Sequence, residues 1–166
     1  QETNGSSVYI RLSTRSISQP NRQVTKKMEG EILSGGYWLE KPKEKSNITI
    51  VFSGVLAPEV LEAVNILRED APNISILVIT SADRLYKDWK NTQNKRLKGN
   101  DNKSRIEEIF SDTLDDSVIV SILDAHSASL SWIGGVVGKK TISLGVDEFG
   151  QSGNLYDLYK NYSINH

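Results

Sequence analysis

Four short runs of apolar, largely β-branched residues recur along the chain, separated by segments with helical spacing. The runs cover residues 48–52, 74–79, 118–123 and 141–144. Continuous apolar runs of this length are typical of strands buried on both faces of a parallel sheet. Strands that alternate with helices predict a sheet covered by helices on both faces. The pattern therefore predicts a three-layer α/β/α sandwich.

A fifth strand is predicted before these four, at residues 37–39. Thr25 is placed to cap a short helix that runs to about Leu33, and the pair Gly35-Gly36 ends it, as glycine commonly does after a helix. The apolar run that follows is short, which favours an edge strand. Val8, Ile10 and Leu12 also alternate with polar residues and predict a separate strand near the start of the chain.

The helices are predicted from apolar positions three and four residues apart. Pro58 suits the first turn of the helix after the first buried strand. Ser127 is placed to cap the helix after the third buried strand. Further helices are expected over about 82–97, 106–110 and 155–162.

The charge balance excludes two classes of partner. The chain has 20 basic and 21 acidic residues and a net charge of −1. Binding to nucleic acid or to an anionic membrane needs a basic surface, so neither partner is expected. No apolar run is long enough to span a bilayer. The chain has no cysteine, which excludes disulfides and thiolate metal sites and is compatible with the cytoplasm, where we expect the protein.

Asp124, His126 and Ser127 follow the third buried strand and are the first candidates for acid–base or nucleophilic chemistry. Residues two apart at a strand end usually point in different directions, however, and Ser127 is more simply explained as a helix cap. His126 and His166 are the only histidines, which argues against a histidine metal site. We therefore predict no catalytic residue and no metal ligand in this chain.

Two glycine-containing segments invite a phosphate-binding interpretation, and both fail it. Residues 134–141 have isoleucine before them, where a P-loop has its first glycine, and they close a helix rather than open one. The turn at Gly54 lacks the three spaced glycines of a dinucleotide-binding site. We expect a helix end and a simple turn.

The last buried strand runs into an acidic, glycine-flanked turn at residues 145–153. The carboxyl ends of strands border the functional crevice in open α/β sheets, so this turn is well placed. Asp147 and Glu148 are adjacent and are expected to point apart, as a solvated acidic turn rather than a glycosidase pair. The aromatic residues Trp38, Trp89 and Trp132 are spread over different elements and are interpreted as core or interface residues.

The order of several motifs resembles the C-terminal domain of thiamine-diphosphate enzymes of the transketolase superfamily. Residues 8–12 and 31–39 are similar to the junction before that domain, and Ser53-Gly54 with the helix after it is similar to its first core turn. Ile79-Thr80-Ser81 matches the next strand end. Residues 149–153, with the helix over 155–162, resemble the family's Phe-Gly-x-Ser turn and final helix. The details favour the homodimeric pyruvate dehydrogenase decarboxylase component over transketolase proper.

The resemblance implies a mixed five-stranded sheet, with four parallel strands and the strand at 37–39 antiparallel at the edge or beside it. It also implies that residues 1–35 are a linker and the end of a preceding pyrimidine-binding domain, and that 36–166 are the C-terminal domain. Both ends of the chain suggest a fragment, with the last family helix missing. Gly153 departs from the decarboxylase pattern, in which an acidic residue is common at this position.

The resemblance further implies the division of labour in the parent enzyme. Thiamine diphosphate and Mg²⁺ would lie between the upstream domains of a homodimer, which carries out the oxidative decarboxylation of pyruvate and acetyl transfer to a lipoyl group. This chain would supply subunit contacts and part of the active-site entrance, bind no cofactor and be inactive alone. Its partners would be the upstream domains and other subunits of a 2-oxo acid dehydrogenase complex. The residues expected to line the cleft are Phe149, Gly150, Gln151, Ser152, Asp124 and His126.

Three alternatives stay open. The chain is also compatible with the same domain of a transketolase, which transfers ketol groups between sugar phosphates. The Gly54 turn and the strand-end crevice would suit a free-standing Rossmann-like binding module. A purely structural dimerisation domain would carry tyrosine and tryptophan exposed on one face.

Overall fold

The computed structural model describes residues 16–18, 23–44, 46–148, 150 and 152–162. The strand predicted at 8–12 lies outside these residues. The five strands are β1 (Gly36–Glu40), β2 (Ile48–Ser53), β3 (Ile74–Ile79), β4 (Val118–Leu123) and β5 (Thr141–Leu144). The helices are α1 (Lys26–Leu33), α2 (Ala57–Leu67), α3 (Ala82–Arg96), α4 (Arg105–Ile109), α5 (Ala128–Val137) and α6 (Leu155–Tyr162).

The strands form one mixed sheet in the order β1-β3-β2-β4-β5. β1 pairs antiparallel with β3, whereas β2 pairs parallel with both β3 and β4, and β4 pairs parallel with β5. The five-stranded sheet with one antiparallel edge strand is therefore confirmed. Because the chain moves from β2 to β3 on one side and from β4 to β5 on the other, the strand order reverses between β2 and β4.

Helices cover both faces of the sheet, because the strand side chains are apolar on both. On one face, α3, α4 and α5 pack on the sheet through residues that include Leu85, Ile106 and Ile133. On the other face, α2 packs through Val60 and Val64. Each of these four helices thus buries apolar residues against the sheet, which gives the three layers that the sequence predicts.

Helix α1 begins and ends as the sequence predicts. The Met28 N–H donates to Thr25 Oγ1 at 3.2 Å. After the helix, Gly35 has a φ of +110°. A Cβ on Gly35 would also lie 2.8 Å from Leu85 Cγ, so both the backbone angle and the packing call for glycine. Thr80 Oγ1 donates to the Ile32 carbonyl at 2.6 Å, which ties the end of α1 to the loop after β3.

The end of α5 is a tight reversal rather than a phosphate loop. Gly138 adopts the left-handed conformation, and its N–H donates to the Gly134 carbonyl. The Lys139 N–H donates to the same carbonyl at 3.0 Å. The chain then returns directly beside Gly134 as it enters β5 at Thr141. The glycines of this segment serve a helix end, as the sequence predicts.

The connection between α3 and α4 is fixed by one carboxylate. Ser104 N and Oγ donate to Glu107 Oε2 at 2.8 and 2.5 Å. Arg96 Nη2 donates to both Glu107 oxygens at 2.9 and 3.0 Å. Burial acts to raise the pKa of Glu107, but the hydrogen bonds from Ser104 and Arg96 outweigh it, and the pKa lies below its ordinary value. Glu107 therefore holds the start of α4 against the end of α3.

Candidate functional site

The carboxyl ends of β2, β4 and β5 lie side by side at one edge of the sheet. Ser53 at the end of β2 is level with Leu123 of β4, and Ile122 is level with Leu144 of β5. The strand order reverses between β2 and β4, which is where open α/β sheets form their ligand crevice. This edge is the candidate functional site.

Four of the six residues that the sequence suggests as cleft-lining belong to the described part of the chain. Asp124 and His126 lie at this edge, directly after β4, and both are exposed. Gly150 and Ser152 are also exposed. Phe149 and Gln151 lie outside the described residues, so their expected place at the cleft stays a prediction.

Asp147 is the best-connected polar residue of this edge. Its Oδ1 accepts the Ser127 N–H at 2.8 Å, and its Oδ2 accepts the Ser127 hydroxyl at 2.9 Å. The hydrogen bonds from the Ser127 backbone and side chain, together with the nearby His126, hold the pKa of Asp147 below its ordinary value. The carboxylate thus stays ionised in mildly acidic solution while it holds the start of α5.

A backbone hydrogen bond also joins the segment after β5 to the segment after β4. The Val146 N–H donates to the Ala125 carbonyl at 3.0 Å. A Cβ on Gly145 would lie 2.6 Å from that carbonyl oxygen and 2.7 Å from the Ser127 nitrogen. Only glycine allows the segment after β5 to approach the segment after β4 this closely. We call residues 125–127 and 145–147 together the β4–β5 junction.

His126 faces two groups at once. Its Nδ1 accepts the Ala128 N–H at 3.1 Å and lies 3.5 Å from Asp147 Oδ1. The first N–H groups of a helix have no acceptor within the helix, so His126 supplies one for α5.

One expectation about this edge is wrong. Ser127 does not cap α5 with its side chain, because its hydroxyl donates to Asp147 and His126 takes the capping role. Asp147 and Glu148 are exposed, as expected of a solvated acidic turn, and the Asp147 carboxylate also binds Ser127. The sequence signal for the pair of Asp147 and Ser127 is an aspartate shortly after one strand and a hydroxyl residue at the start of the helix that follows the adjacent strand.

The junction is not a catalytic triad. The Ser127 hydroxyl donates to a carboxylate, and the imidazole Nδ1 binds the helix backbone. A nucleophilic serine needs its proton taken by the imidazole, with the carboxylate behind that imidazole. The arrangement does not do this, and its chemistry is that of a structural fastening between two strand-end segments.

The three tryptophans lie on three different elements, as the sequence predicts, and all three pack against the core, where two of them meet. Trp89 of α3 and Trp132 of α5 stack with centroids 5.6 Å apart. Tyr86 contacts both rings, at 5.4 and 5.3 Å, and is 43% exposed. Trp38 instead packs edge-on against Phe110 at 5.8 Å. Tyr86, Trp89 and Trp132 thus join α3 to α5 on one face of the sheet.

Among residues 16–18, 23–44, 46–148, 150 and 152–162, no three or more His, Cys, Asp or Glu side chains come together in a group that would hold a metal ion. In the same part of the chain, no helix has the length and apolar character needed to cross a membrane.

A family model described as the transketolase-like C-terminal domain matches residues 35–165. The chain belongs to this family. Among solved structures, it is similar to transketolase from Campylobacter jejuni subsp. jejuni, with 19% sequence identity and a TM-score of 0.49. That similarity covers 76% of this chain and 16% of the transketolase chain, so this chain corresponds to a small part of that protein. None of the curated proteins compared with the sequence matches it.

Proposed function

We propose that this chain is the C-terminal domain of a thiamine-diphosphate-dependent enzyme, and that the parent protein is the homodimeric pyruvate dehydrogenase decarboxylase component. The observation that carries the proposal is the family match over residues 35–165. The choice of pyruvate dehydrogenase is supported by the motif details described above, with Gly153 as a departure from its pattern. In the parent, pyruvate is decarboxylated oxidatively and its acetyl group passes to a lipoyl group.

The same proposal divides the chain into two parts. Residues 1–35 are a linker and the end of a preceding pyrimidine-binding domain, and residues 36–166 are the C-terminal domain. The family match begins at residue 35, which supports this boundary. A domain of a larger enzyme also agrees better with the match than a free-standing binding module does.

The role of the domain is to supply subunit contacts and part of the active-site entrance. This role is supported by the exposure of Asp124 and His126, which follow β4, and of Gly150 and Ser152, which follow β5 in the chain. The partners are the upstream domains, a second subunit of the homodimer and the other subunits of a 2-oxo acid dehydrogenase complex.

The proposal assigns thiamine diphosphate and Mg²⁺ to the upstream domains rather than to this chain. Among the described residues, no three or more His, Cys, Asp or Glu side chains form a group that would hold a metal ion. Thiamine diphosphate supplies carbanion chemistry where it is bound, in the upstream domains. No step of that chemistry passes through the residues described here.

Calorimetry of the 166-residue chain with thiamine diphosphate and Mg²⁺ tests this division of labour. We expect no measurable binding. Tight, Mg²⁺-dependent binding would contradict the assignment of the cofactor to other domains.

The second candidate is the same domain of a transketolase, which the description of the family favours. The parent protein distinguishes the two by turnover. Pyruvate consumption with an artificial electron acceptor supports the decarboxylase. Ketol transfer between a ketose phosphate and an aldose phosphate, without pyruvate turnover, supports transketolase.

A further inference from the structure

The β4–β5 junction joins two segments that are 20 residues apart in sequence and that both leave the candidate functional edge. Its strongest side-chain contact is that of Asp147, which accepts both the N–H and the hydroxyl of Ser127, at 2.8 and 2.9 Å. The Asp147 side chain remains 53% exposed. It is therefore a fastening at the surface, which solvent reaches, rather than a part of the core.

The position of the carboxylate explains why it is held. The Ser127 N–H stands at the first turn of α5, where backbone N–H groups lack acceptors within the helix. The positive end of the helix dipole favours a negative charge at the same place. An amide side chain at position 147 would keep the size of aspartate but lose the charge and one of the two acceptor oxygens.

We propose that Asp147 is a positioning residue, which fastens the segment after β5 to the first turn of α5 and so fixes where the acidic turn begins. The role of Asp147 in joining the two segments follows from its hydrogen bonds to Ser127 alone. Its effect on an active-site entrance rests on the proposed function.

His126 also lies at the junction. It faces Asp147 from the β4–α5 turn, with 3.5 Å between His126 Nδ1 and Asp147 Oδ1. Asp124 and Glu148, the neighbouring acidic residues of the two segments, are exposed. Protonation of Asp147 removes the charge that Ser127 binds and so opens the junction.

The test is amide hydrogen exchange and a pH titration by NMR on the 166-residue chain, with Asp147→Asn as the variant. We expect exchange of the Ser127 and Val146 amides to accelerate roughly tenfold in the variant. Amides of the central strands β2 and β3 should exchange as in the wild type. The Ser127 amide shift should titrate below the ordinary range of aspartate in the wild type, and this titration should vanish in the variant.

Glu148→Gln is the matched control, because it removes a neighbouring exposed charge and should leave Ser127 and Val146 unchanged. Exchange that is unchanged in Asp147→Asn, or that accelerates equally throughout the sheet, would overturn the proposal. These measurements involve no cofactor, so their outcome is independent of whether the parent enzyme proves to be a decarboxylase.

Discussion

Adjacent glycines of α5, Gly134 and Gly135, should respond in opposite ways to the same substitution. A Cβ on Gly134 would lie 1.8 Å from Thr141 Oγ1, 2.9 Å from Thr141 Cβ and 2.7 Å from the Lys139 carbonyl oxygen. Rotation of the threonine relieves only the first of these contacts. The other two involve atoms fixed to the backbone, so the end of α5 must move away from β5. On Gly135, a Cβ would meet nothing within 4 Å.

The magnitudes follow from two effects. Replacing glycine by alanine within a helix stabilises it by about 1 kcal/mol. Forcing extra atoms into a packed region costs about 1–3 kcal/mol, and contacts with backbone atoms place Gly134→Ala near the upper end of that range. We therefore expect Gly134→Ala to lower the free energy of unfolding by about 2 kcal/mol and Gly135→Ala to raise it by about 0.5–1 kcal/mol.

Urea denaturation followed by circular dichroism measures both variants against the wild type. A chain of this size should show the same order in thermal melting, with a change in Tm of about 2–4 °C for each kcal/mol. The reasoning fails if Gly134→Ala is as stable as the wild type, or if the two variants shift the midpoint in the same direction by similar amounts.

Two further predictions concern the contacts that join α3 to its neighbours. Glu107→Gln should lower the free energy of unfolding, measured by urea denaturation at neutral pH, by about 1.5–3 kcal/mol, because it leaves the part-buried Arg96 without its charged acceptor. The same change at the exposed neighbour, Glu108→Gln, should lower it by under about 0.5 kcal/mol. The pKa of Glu107 is lowered in the folded chain, so its contribution to stability is complete above the pKa of the unfolded chain and is lost as the pH falls through the folded pKa. Equal stability of the two variants at neutral pH would contradict this account. A double-mutant cycle with Trp89→Ala and Trp132→Ala should give a coupling of about 0.5–1.5 kcal/mol from urea denaturation, and additive effects would mean that the stacked rings do not interact.

Local patterns predicted most of the fold because strands and helices are specified by short-range periodicity. The four apolar runs became β2–β5, and the cap at Thr25 and the reversal at Gly35 stand where the sequence places them. The position of β1 at an edge was predicted from its short length, and its antiparallel direction was implied by family resemblance. These features depend on residues within a few positions of one another.

The candidate site depended on neighbours that only the folded chain supplies. Sequence proximity suggested Asp124, His126 and Ser127 as a group, whereas the structure joins Ser127 and His126 to Asp147 across two parallel strand ends. Parallel strands bring their carboxyl ends to one edge however far apart they lie in sequence, so the partner of a strand-end residue is set by the strand order.

What the amino-acid sequence alone determined is the succession of elements, because hydrophobic spacing decides which face of each segment is buried. The tertiary structure alone decided which of two adjacent glycines has room for a side chain. Gly134 and Gly135 are the same residue type in the same helix, yet Gly134 packs against Thr141 and Gly135 faces open space. The physical reason is that close packing acts between segments, and the distance between segments is a property of the assembled sheet and helices rather than of any local stretch of chain.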